Sequence, residues 1–276
     1  MRLIQVADAV RYPRMTTDEV RAAFLVDKLF QFGHIDLAYV DLDRTIVGTA
    51  VPLGEPLALD TDADLRAAYF TERRELGILN IGGGGTVEVE GVTFELANLD
   101  ALYVGRGNKV IHFSSLDSLT PAEFYLLSYP AHSSYPVAKI AARAAESTVL
   151  GSAETANHRR INRLIHLDGV RSSQLVMGFT QLTAGSVWNT MPPHTHMRRS
   201  EVYLYFNLKP EDRVMHMMGP AHETRHIVVA NKQVVISPGW SIHAGVGTAS
   251  YTFCWGMGGE NQAYSDMDPL AIAELL

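Results

Sequence analysis

Cysteine is nearly absent: the only one, Cys254, rules out an intrachain disulfide. Its setting, YTFCWGM, reads as a small buried hydrophobe in a strand and not as a reactive thiol. Long apolar runs are missing as well. No stretch approaches the roughly 18 residues of a membrane span. The N-terminus, MRLIQVADAVRYPRM, carries charges at positions 2, 8, 11 and 14 and has no apolar run of signal length. A cytoplasmic protein is expected. The sequence also has no basic block, and its net charge is −7, which argues against nucleic acid as a partner. A small anionic substrate stays open, provided arginines gather locally. Charged residues are 19% against 47% hydrophobic, a globular profile, and 276 residues suffice for two domains that each bury a core.

What is present is β pattern. TTDEVRAAFLVDKLF, with Thr16 and Glu19 spaced as a capping box and Val20, Phe24, Leu25 and Leu29 at helical intervals, predicts one N-terminal helix. Thereafter β-branched runs dominate. In TVEVEGVTFEL, Val87 and Val89 alternate with glutamates before Gly91 turns the chain, which predicts a hairpin. The run IGGGG at 81–85 precedes a strand and has no following Lys-Ser/Thr, so it reads as a flexible hairpin turn and not as a phosphate loop. Residues 131–160 lose the strand pattern and read as a connection; strands resume from Ile161, and DMDPLAIAELL suggests a short final helix. The expected fold is all-β dominated: two β-barrel or sandwich domains with a few short peripheral helices, 1–140 and 141–276.

Chemistry concentrates in the second half. In HTHMRRSE, His194 and His196 alternate, so an extended chain points both imidazoles the same way. Glu201 opens the strand EVYLYF, sharing a face with Tyr203 and Tyr205. His243 follows the Pro238-Gly239 turn in SPGWSIHAG and is the candidate fourth group. Three imidazoles and a carboxylate suit Zn, Fe, Mn, Ni or Co with a position left for water or substrate. The alternative is an ordinary polar loop. In the first half, His112 and His132 belong to no such set, so that domain reads as structural.

The spacing His-x-His, four residues, Glu, then Pro-Gly and His resembles the metal motif of the cupin superfamily. It departs at Leu208, where a glycine is usual, and at Gly247, where an asparagine is usual. Longer strings, among them YFTERRELGILNIGGGGTVEVEG, PAHSSYP, WNTMPPHTHMRRSEVYLYFN and VVISPGWSIHAGVGT, resemble the 5-keto-4-deoxyuronate isomerase family over nearly the whole chain. The resemblance implies two cupin-like jelly-roll domains, the C-terminal one holding one divalent metal per subunit, with zinc expected. It further implies an aldose–ketose isomerase in pectin and uronate breakdown, converting 4-deoxy-L-threo-5-hexosulose uronate to 3-deoxy-D-glycero-2,5-hexodiulosonate, and a homohexamer. His194, His196, Glu201 and His243 are the expected ligands.

Around that set, Glu223, Tyr203 and His226 are candidate acid–base groups. Arg163, Arg198, Arg199 and Arg225 are candidates for the substrate carboxylate, and Trp188 and Gln262 for the pocket lining. Met197, Met257 and Tyr103 read as packing. Competing functions are another metal-dependent cupin enzyme, either a dioxygenase or a phosphosugar isomerase, and a non-catalytic sugar-binding cupin.

Overall fold

A computed structural model describes residues 1–276. Short antiparallel strands dominate, as the alternating apolar pattern implies, and the only α-helix is Thr17–Phe24. The chain forms two compact units. One comprises Met1–Leu3, Lys28–Glu146 and Leu164–Val176; the other comprises Ile4–Asp27, Ser147–Arg163 and Met177–Leu276. This differs from a single cut after residue 140: the N-terminal helix belongs with the C-terminal half, and a later segment returns to the first unit.

Each unit has a seven-stranded and a four-stranded sheet and does not close into one continuous barrel. In the first unit the core lies between the two sheets. Leu76, Ile78 and Leu126 come from the larger sheet, and Val87, Leu96 and Phe113 from the smaller. Alternation explains this: every second residue of each strand faces inward, so the apolar positions of both sheets meet. The predicted hairpin forms as Gly85–Val89 paired with Val92–Leu96. The glycine run before it does not turn a hairpin. It carries the chain from Arg74–Asn80 in one sheet to Gly85–Val89 in the other. A Cβ at Gly83 would lie 1.9 Å from the Thr120 carbonyl oxygen, so close packing is what requires glycine there.

In the second unit, the strand Arg199–Phe206 sits between Thr252–Gly259 and Gln233–Ser237 in the larger sheet. The smaller sheet runs in the order Trp188–Asn189, Ile242–Gly247, Val214–Gly219, Arg225–Val229. Both arms of the Thr16–Glu19 capping box are present. The helix is shorter than its apolar periodicity predicts, because Leu25 turns extended and Leu25–Val26 pairs with Val235 and Val234. Sheet pairing overrides helical spacing there. The segment 131–160, expected as a plain connection, contributes the strands Ala138–Ile140 and Glu146–Leu150. The tail forms only the pair of residues Asp268–Pro269 and a 3-10 turn at Ile272–Glu274, in place of a final helix. No helix is long and apolar enough to cross a membrane.

Candidate metal centre and its cavity

Four side chains converge between the two sheets of the second unit. His194 lies in a two-residue strand paired with Asp268–Pro269. His196 follows it, and its carbonyl accepts from the Arg199 amide at 3.1 Å. Glu201 stands in the larger sheet opposite Ser237 and Met257, and His243 in the smaller sheet opposite Met218. The Pro238-Gly239 turn lies directly against the histidine loop: a Cβ at Gly239 would sit 3.0 Å from the His196 carbonyl oxygen. The turn therefore sets the approach of His243 to the other ligands.

The ligand atoms of His194, His196, Glu201 and His243 all lie within 4.8 Å of one another. Glu201 Oε2 is 2.9 Å from His196 Nε2 and 3.0 Å from His243 Nε2, and His243 Nε2 is 2.9 Å from His194 Nε2. Ligands in a tetrahedron about 2.1 Å from a cation are about 3.4 Å apart, so a cluster of this size could hold one ion. Proton chemistry agrees. His196 Nδ1 donates to the Arg199 carbonyl at 2.9 Å, which turns the Nε2 lone pair inward. Burial, then the neighbouring His243, pushes His194 down to about pKa 3, so it is a neutral imidazole with a lone pair to give. Burial works to raise the Glu201 pKa, but His243 and His196 override it and hold the carboxyl well below its ordinary range. Burial disfavours charge on His196, but without an ion the Glu201 carboxylate favours a proton there; a divalent cation could take that proton's place and accept all three imidazoles and the carboxylate.

Beside this group lies a cavity of about 440 Å³, lined among others by Arg159, Thr190, Arg199, Tyr203, Trp255 and Tyr264, together with His194 and Glu201. Tyr203 is buried, and its hydroxyl is 3.4 Å from Thr190 Oγ1. Burial and then the Glu201 charge keep the Tyr203 phenol protonated. Arg199 donates to the carbonyls of Ala263 (2.7 Å) and Asp266 (2.9 Å), and its buried Nε has no hydrogen-bond partner. Met257, read as packing, is buried and also lines the cavity.

The remaining sequence candidates lie elsewhere. Arg198 does not line the cavity; its guanidinium pairs with Asp266 at 2.7 Å and Asp268 at 2.9 Å. Arg163 stacks over the Tyr264 ring at 4.9 Å. Arg225 donates to the carbonyls of Tyr12 and Met15. His226 is exposed on the edge strand Arg225–Val229, whose Ile227 and Val229 take the inward positions, and Glu223 sits in the turn before that strand. Neither is in the cavity wall, which corrects their expected place beside the metal. Trp188 pairs with Val246 at the end of the smaller sheet, and neither it nor Gln262 is in the wall.

Two residues were missed. Arg159 shares a strand face with Ile161 and Arg163, and it is the member of that face, with Ile161, that reaches the cavity. Alternation in RRINR marks the face but not which arginine reaches inward. His216, on the buried face of VMHMM, lies 2.7 Å from the Tyr205 hydroxyl through Nδ1; burial brings it down to about pKa 3.

A model of the KduI/IolB family matches residues 29–271. The chain belongs to the KduI/IolB family. It is 51% identical over 265 residues to the 4-deoxy-L-threo-5-hexosulose-uronate ketol-isomerase of Caldicellulosiruptor bescii, covering 96% of both chains. It is 50% identical over 275 residues to the enzyme of that name from Lachnoclostridium phytofermentans, covering 100% of both. Among solved structures, an IolB-like protein from Salmonella typhimurium superposes with a TM-score of 0.73 at 14% identity, over 90% of this chain and 96% of that one. That likeness supports the two-unit cupin-like fold.

Proposed function

We propose that this family member is a metal-dependent ketol-isomerase that converts 4-deoxy-L-threo-5-hexosulose uronate to 3-deoxy-D-glycero-2,5-hexodiulosonate in pectin and uronate breakdown. The observation that carries the reading is the convergence of His194, His196, Glu201 and His243 on one point at the wall of a cavity that also presents two arginines. Its full-length relatives bear the name of that activity.

His194, His196, Glu201 and His243 would hold the ion, for which zinc is the first choice given three imidazoles and one carboxylate. A divalent cation there would supply Lewis-acid stabilisation of the negative charge that develops on the substrate's oxygens. The chain's own residues do the rest. Arg159 and Arg199 are the guanidiniums in the cavity wall and are assigned to the substrate carboxylate. Trp255, Phe253 and Tyr264 form apolar walls that exclude water from the reacting carbons. Tyr203, kept protonated, is assigned to holding a proton at a substrate oxygen as the carbonyl moves from C1 to C2. Glu223 and His226 receive no catalytic role. A homohexamer working in the cytoplasm completes the reading.

The test is NMR of the ketouronate incubated with the purified protein in D₂O. Loss of the C1 aldehyde signal with growth of the 2-keto product is expected, and deuterium at C1 would mark proton transfer over a hydride shift. Oxygen consumption in place of isomerisation would favour a cupin dioxygenase instead.

A further inference from the structure

The first unit has a cavity of its own, about 250 Å³, with Tyr39, Arg44, Asp64, Phe70, Arg73 and Arg74 in its wall. Its wall holds three arginines and one aspartate, an excess of positive residues. Arg74 is the most telling of the three. It opens the strand Arg74–Asn80 and is only 7% exposed, a depth at which arginine normally has a carboxylate partner. Its bonds instead go to neutral oxygens: the Ser128 hydroxyl at 3.1 Å and the carbonyls of Ser128 at 2.9 Å and Arg44 at 2.6 Å. Burial holds Arg74 down to about pKa 10, the phenols of Tyr39 and Tyr129 act to raise it, and the Arg44 guanidinium adds repulsion.

Arg73 is likewise bonded to carbonyls, those of Leu65 and Arg66 at 2.7 and 2.5 Å. These bonds hold the Arg73 and Arg74 guanidiniums in place without neutralising them. Asp43 and Arg44 both hold left-handed backbone, with φ of 50° and 52°, so the chain beside the cavity is fixed in a conformation that L residues rarely adopt. A concavity with one buried arginine, Arg74, and two exposed ones, Arg44 and Arg73, at its wall suits an anion with several negative oxygens. The chain's net charge of −7 makes this local excess of positive charge a departure from the rest of the molecule.

We propose that this cavity is a second binding site, specific for a small polyvalent oxyanion such as a phosphate group or a dicarboxylate, with Arg44, Arg73 and Arg74 as its donors. The volume leaves room for the anion and a few attached carbon atoms. The site lies in the unit that carries no metal-ligand cluster and is independent of the isomerase reading.

Isothermal titration calorimetry of the full, zinc-loaded protein tests it, with inorganic phosphate and succinate as probes against chloride at constant ionic strength. One saturable site per chain is expected for at least one probe, and the stronger binder tells which anion class the site takes. The Arg44→Ala/Arg73→Ala double variant should weaken that binding by about 10- to 100-fold, two charge-assisted contacts being lost. Its circular dichroism and its isomerase turnover should not change. Arg74→Lys, which keeps the charge but loses the fork, should weaken binding less. Absence of heat from both probes would overturn the proposal. So would equal affinity in the double variant, which would put the anion at another site such as Arg159. A double variant that changes oligomeric state while neither probe binds the wild type would show that a second copy meets the charge, and the proposal would fail.

Discussion

Arg199 illustrates how single residues divide their work here. Two of its nitrogens are held by the carbonyls of Ala263 and Asp266, so the guanidinium is fixed before any ligand arrives, and its Nε stays buried and unused. Arg159 approaches the same cavity from another strand. Replacing either with alanine is expected to cost about 1.5–3 kcal/mol of a charge-assisted contact. That corresponds to roughly 10- to 150-fold in kcat/KM at 1.36 kcal/mol per tenfold, with most of the change in KM. Steady-state kinetics on the ketouronate checks this, and an unchanged KM in both variants would remove the carboxylate assignment. At this scale the clustering of His194, His196, Glu201 and His243 was legible, because His-x-His, Glu and Pro-Gly-…-His are local spacings. Among the arginines, Arg199 was legible, being two residues from Glu201, and Arg159 was not. Sequence proximity to the ligands favoured Arg198, whose guanidinium is paired with Asp266, over Arg159, which is 35 or more residues from every ligand but folds to the cavity.

Secondary elements carry a second layer of the account. The segment 260–268 folds over the cavity and is tied down by Arg198 to Asp266 and Asp268. Hydrogen bonds from Arg198 and Asn261 hold the Asp266 carboxyl down to about pKa 2. A carboxyl with a depressed folded-state pKa stabilises fully above its ordinary value of 3.8, and that contribution is lost as pH falls through about 2. Hydrogen-exchange protection over 260–268, taken relative to the intrinsic rate at each pH, should therefore fall between about pH 4 and pH 2, and Asp266→Asn should show low protection already at pH 5. At the other end of the chain, Thr16→Ala removes one arm of the capping box and is expected to destabilise by about 1 kcal/mol, read as a lower midpoint in urea. That cap was legible because it is written in adjacent residues. The helix end was not, because Leu25 and Val26 are claimed by Val235 and Val234, more than 200 residues away. The glycine run was misread for the same reason: its neighbour is the Thr120 carbonyl, a long-range contact that no local pattern announces.

At the scale of the whole molecule, two units share the same two-sheet design, with a cluster of three histidines and a glutamate in one and a cavity that has three arginines in its wall in the other. Alternating strands made the repeated β architecture readable, whereas the exchange of Ile4–Asp27 and Leu164–Val176 between the units depends on distant pairing and was not. Metal binding should also register as stability. With free zinc at about a thousandfold above its dissociation constant, linkage adds about 4 kcal/mol, so chelation should lower the melting temperature measurably. On this reading isomerase activity depends on an ion held by His194, His196, Glu201 and His243. The most direct measurement is ketouronate turnover as a function of bound metal, starting from chelator-treated protein and titrating in zinc, with Glu201→Gln alongside. The account predicts turnover that is lost on stripping, returns in proportion to metal up to one ion per chain, and stays at least about 100-fold lower in Glu201→Gln, whose metal content also falls. Full turnover in the metal-free protein, or zinc binding and activity unaltered in Glu201→Gln, would contradict it.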